Sequence, residues 1–97
     1  MIANDLLQEF NAFLEGKIDF EIFIEDFPSH LSETVDALDQ ENKELSDLLN
    51  GTVPFICDEY EPDEEERRRW KLRDQENVTM ELKKIYQRCI ASFPYLK

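Results

Sequence analysis

The stretch NDLLQEFNAFLE, residues 4–15, decides the fold. Its apolar residues Leu6, Leu7, Phe10, Phe13 and Leu14 recur at three- and four-residue spacing, which lines one face of an α-helix and neither face of a strand. Asn4 is suited to cap the start of this helix, and Gly16 to take the turn that ends it. Next in the chain, Asp19 can cap a second short helix with Phe20, Phe23, Ile24 and Phe27 on one side. The run from Ile18 to Ile22 also alternates as a strand would, and Pro28 interrupts either pattern. From Ser29 the apolar residues are Leu31, Val35, Leu38, Leu45, Leu48 and Leu49. The polar gap between Leu38 and Leu45 permits one long helix, or two with a break near residues 40–42.

Asn50-Gly51 is a stop signal. Pro54 can start a further helix, with Phe55, Ile56, Cys57 and Tyr60 reading inward and Pro62 closing it. Residues 61–77 have few apolar anchors beyond Trp70 and Leu72 and read as a charged connection. A last helix, about 76–92, carries Val78, Met80, Leu82, Ile85, Tyr86, Cys89 and Ile90 and ends before Pro94. The expected fold is all-α, a small antiparallel bundle of four to five helices, with residues 1–97 as a single helical domain. Two glycines are too few for a turn-rich β fold.

The chain has 97 residues, 41% of them hydrophobic, and seven are Phe, which is too apolar for a disordered acidic tail. Its net charge is −12 and unevenly spread. Residues 1–57 carry 13 acids against Lys17 and Lys43, whereas residues 58–97 carry 10 acids against 9 bases. Such a surface repels nucleic acid and anionic membranes and attracts basic proteins. No apolar run approaches the ~20 residues that span a bilayer. The opening MIANDLLQEF lacks a basic segment, so no signal peptide is expected and the protein is placed in the cytoplasm. Cys57 and Cys89 show no metal-ligand spacing. They read as buried free thiols of a reducing compartment, although spacing alone leaves a bridge between them open.

Catalysis has little to work with, and no enzyme is expected. His30, the one histidine, follows the Pro28-Ser29 turn with no serine or cysteine constellation and reads as a capping or surface residue. Among 23 acids, carboxylate pairs are inevitable and carry no signal. No phosphate loop, dinucleotide fingerprint or calcium loop occurs, so neither cofactor nor metal is expected. The phenylalanines of the first two helices read as core rather than as a ligand pocket.

The concentrated feature lies at 58–73. Seven of the nine residues from Asp58 to Glu66 are acidic, and five of the seven from Arg67 to Arg73 are basic. Internal pairing of the two runs is one reading. The other is selection for an external partner, because crowding like charges costs stability. Arg flanking Trp70 would also suit stacking on RNA, which the overall −12 opposes. The expected contacts are Glu59, Glu61, Asp63, Glu64 and Glu65, flanked by Asp58 and Glu66. Tyr60 and Trp70 are aromatic anchors for either partner or core. Acids of the region 36–47 form a second candidate surface.

Glu61-Pro62-Asp63 after an aromatic residue, then Val78 to Tyr86 with its apolar rhythm, resembles the carboxyl-terminal half of the colicin D immunity protein family. Phe13 to Ile18, with Phe23 beyond, resembles that family's opening helix and Lys-Ile turn. The arginines at 67–69 and the longer stretch before the last helix depart from the pattern. The resemblance implies a helical protein that neutralises a cognate tRNA-cleaving toxin, delivered by a colicin or by contact-dependent inhibition. Acidic side chains would fill the toxin's basic cleft in place of RNA phosphates, in a one-to-one complex with a monomer. The competing expectation is an acidic adaptor or nucleic-acid mimic for another basic protein, and the third is a small carboxylate-based or metal-dependent enzyme.

Overall fold

The computed structural model describes residues 1–93. They form α1 (Ile2–Leu14), α2 (Phe20–Glu41), α3 (Lys43–Asn50), α4 (Val53–Asp58), α5 (Glu64–Trp70) and α6 (Gln75–Ser92). Among the described residues the only β pairing is an isolated bridge between Tyr60 and Arg73. The chain is thus an all-α small bundle. Five helices share one apolar core, while α5 buries none of its residues.

α1 forms where its periodicity predicts, with Leu6, Leu7, Phe10 and Phe13 buried. It ends on Gly16 at φ 82°, a left-handed conformation in which a Cβ would be strained. α2 runs back along it. Phe13 stacks on Phe23 at 4.1 Å and meets Phe20 at one end of the pair. At the other end, the Glu41 carboxylate accepts the N–H groups of Ile2 and Ala3, both at 3.1 Å. That carboxylate satisfies two of the donors any helix leaves free at its start. Between the ends, His30 Nδ1 lies 2.9 Å from Glu9. Phe10 touches Phe23, Phe27 and Tyr86 of α6, so the aromatic cluster joins three helices. Each fully buried Phe contributes about 2–3 kcal/mol, and each ring pair about 1 kcal/mol more.

Pro28 does not end the second helix. It lies inside α2, which continues to Glu41. The missing amide costs one bond to the Ile24 carbonyl, while Phe27, Leu31 and Leu38 stay fully buried below and hold the helix to the core. The strand alternative at 18–22 is not realised. The break does fall at Asn42, whose side chain accepts the Leu45 N–H at 3.1 Å to start α3. Ser46, buried behind that break, donates to the Asp39 carboxylate and receives the Asn50 amide.

In α4, Val53 and Cys57 are buried, but Phe55, read as inward, is 64% exposed. Positions two apart lie about 200° apart on a helix, so Phe55 and Cys57 cannot both face the core. Met80, two residues before buried Leu82, is outward for the same reason. Residues 61–77, read as a connection, contain α5. The final helix matches its expected bounds, and Pro94, its expected stop, lies outside the described residues. Cys57 and Cys89 are free and buried, and burial pushes their thiols up to about 12 and about 11. No described helix is long and apolar enough to cross a membrane.

Candidate partner-binding surface

The segment 58–73 is a small structure of its own. Asp63 caps α5 by accepting the N–H groups of Glu65 at 2.8 Å and Glu66 at 3.2 Å. Three glutamates then occupy the first turn and three arginines the last, which suits both ends of the helix dipole. Arg68 pairs with Glu64 at 2.9 Å and Arg69 with Glu66 at 3.3 Å, the spacings at which helical neighbours meet. Arg67 reaches back to the carbonyls of Glu61 and Pro62 at 2.8 and 3.0 Å. α5 ends on Lys71, in the left-handed region at φ 56°. Beyond it, Arg73 returns to the acidic run. Its N–H donates to the Glu59 carbonyl at 2.7 Å, its carbonyl accepts the Glu61 N–H, and its guanidinium pairs with the Glu59 carboxylate at 2.7 Å.

The expected contact residues therefore separate into three kinds. Glu59, Glu64 and Glu66 answer arginines of the same segment, and Asp63 serves the backbone. Tyr60 is half-buried, with its ring edge-on to Phe20 at 4.7 Å, so of its two readings it takes the inward one. Trp70 is 65% exposed and donates its indole N–H to Glu66 at 2.9 Å. Among the described residues the carboxylates of Asp58 and Glu65 have no hydrogen-bond or ion-pair partner, and the Glu61 carboxylate accepts only the Asp63 N–H. Internal pairing thus accounts for much of the acidic run. Each exposed pair is worth only a few tenths of a kcal/mol and opens readily to a competing cation.

A second anionic surface is larger and less compensated. α2 bears seven acids and no Lys or Arg over 22 residues, about 33 Å of helix. Glu21, Glu25, Asp26, Glu33 and Asp36 are exposed and have no ion-pair partner among the described residues. In their midst lies Ile22, 52% exposed although its neighbour Phe23 is completely buried. The sequence signal for this face is the absence of any Lys or Arg between Lys17 and Lys43. Part of the other candidate region, 36–47, is taken up internally: Asp39 and Asp47 flank Lys43, and Glu41 caps α1.

His30 sits beside this face, and its imidazole is raised above the ordinary histidine value, first by its hydrogen bond to Glu9. Among the described residues, no three His, Cys, Asp or Glu side chains converge as a metal site. No family model, no curated protein and no solved structure matches the chain.

Proposed function

We propose that the protein is an inhibitor of the immunity type, which binds a basic nuclease toxin and denies its cleft to RNA. The observation that carries this reading is the outer face of α2, where Glu21, Glu25, Asp26, Glu33 and Asp36 are exposed on a helix with no Lys or Arg. A cation-lined cleft focuses its field outward, and an uncompensated anionic helix is drawn to it, raising association roughly ten- to a thousandfold. Docked carboxylates then make charge-assisted hydrogen bonds to lysines and arginines that would otherwise hold phosphates. Close charge pairs of this kind have coupling energies of about 1.5–7 kcal/mol in a nuclease–inhibitor complex. Exposed Ile22 supplies an apolar contact among them. Asp58, Glu61 and Glu65 add carboxylates at the other candidate surface. The protein contributes no chemistry, only occupancy.

The test is to combine the chain with the carboxyl-terminal domain of the toxin encoded beside it and to measure tRNA cleavage. Cleavage should fall to background at one equivalent. Undiminished cleavage at saturation would overturn the proposal, and binding without inhibition would leave an adaptor for a basic protein. To separate the surfaces, Glu25→Lys with Asp26→Lys should slow association more than tenfold, by the steering argument. Asp58→Lys with Glu65→Lys should act more weakly. Asp63 is unsuitable for such a test, because its replacement would also uncap α5.

A further inference from the structure

We infer that the cleft between the end of α5 and the start of α6 binds a phosphate group. The cleft has a volume of about 400 Å³ and is lined by Arg67, Lys71, Leu72, Arg73 and Asn77, together with Glu59 and Asp74. On a chain of net charge −12 it brings three cations together against two carboxylates. Both carboxylates are already engaged, Glu59 by Arg73 and Asp74 by the Asn77 N–H at the start of α6. The cations are not equally engaged. Arg67 is held by two backbone carbonyls through one terminal nitrogen. Arg73 is held by Glu59 through Nε and by Asn77 through one terminal nitrogen. The other terminal nitrogen of each fork, and the Lys71 ammonium, have no partner among the described residues.

Two guanidinium groups fixed by their own hydrogen bonds lose little freedom on capturing an anion, and each keeps a terminal nitrogen to donate to a phosphate oxygen. Lys71 makes the same point from the backbone. It holds a left-handed conformation at the end of α5, a position where glycine is unstrained, and the side chain it adds there is a cation. At physiological ionic strength charges beyond about 8 Å are screened, so the local sign of the cleft, not the total of the chain, decides which ion enters. The volume suits a small phosphate monoester as well as the free anion.

The test is a titration of the full chain with inorganic phosphate at constant ionic strength, set with chloride. The sole tryptophan, Trp70, is adjacent to Lys71, so its fluorescence and the amide shifts of Lys71, Leu72 and Asn77 report the site. Saturable binding in the low-millimolar range is expected. Lys71→Gly keeps the left-handed turn and removes the ammonium, so it should fold normally and weaken binding about five- to tenfold. Affinity for a nucleoside 5′-monophosphate above that for inorganic phosphate would assign the cleft to organic phosphates; equal affinity would assign it to the free anion. A response that never saturates, an equal response to chloride, or unchanged affinity in Lys71→Gly would overturn the inference.

Discussion

At the scale of single residues, backbone and proton each supply a test. Gly16 ends α1 at φ 82°, and a Cβ there would meet no neighbour within 4 Å, so conformational strain alone sets the cost of adding one. Gly16→Ala should lower stability by about 1 kcal/mol in urea unfolding. His30 is held above its ordinary value by Glu9, with smaller help from Glu33 and Asp26. Its protonated form is the one the fold favours. The contribution is therefore complete below about pH 6.5 and lost as pH rises through the raised value. Imidazole NMR titration should place His30 above 6.5, and Glu9→Gln should return it toward that figure. The difference in urea midpoint between the two proteins should shrink from pH 5.5 to 8.5. The candidate site was legible in the sequence as a density of charge, but not as a set of pairs. Counting acids from Asp58 to Glu66 could not show that Arg73 folds back on Glu59, because that contact depends on the Tyr60–Arg73 bridge.

At the scale of the helix, Asn42 is the decisive joint. It closes α2 by donating its N–H to the Leu38 carbonyl at 2.7 Å and opens α3 with its side chain. Asn42→Ala should cost about 1 kcal/mol, measured by thermal unfolding followed by circular dichroism. α1 and α6 were readable from apolar periodicity, and the polar gap near 40–42 left one helix or two open. Asn4, read as the cap of α1, instead lies inside a helix that begins at Ile2 and has no side-chain cap. Two elements were not readable by that rule. α2 passes through Pro28 because burial of Phe27 and Leu31 outweighs one lost hydrogen bond, a balance invisible in local sequence. α5 has no apolar stripe because it buries nothing; what forms it is Asp63 as cap, Glu64 and Glu66 reaching their arginines, and charges ordered along the dipole. Those signals were present in EEERRR, but they mark helices far less often than a hydrophobic period does.

For the molecule as a whole, charge is both the functional asset and the internal strain. A net −12 on 97 residues drives the compact state apart, and most of that excess lies on the first 57. Raising sodium chloride from about 10 to 300 mM shortens the Debye length and should raise the melting temperature by roughly several degrees. The same addition should slow capture of a basic partner, so stability and association rate move oppositely with salt. A flat melting temperature would mean that the carboxylates of α2 lie too far apart to repel one another. One practical consequence follows from the stretch without Lys or Arg between Lys17 and Lys43, which covers the whole of α2. Amine-reactive cross-linking, the usual way to map a complex by mass spectrometry, has no handle on that helix and would assign any contact there to its flanks. Trypsin, cutting after Lys17 and Lys43, would release α2 within a single peptide. A carbodiimide, which couples carboxylates to a partner's lysines, can instead attach to the exposed acids of that helix.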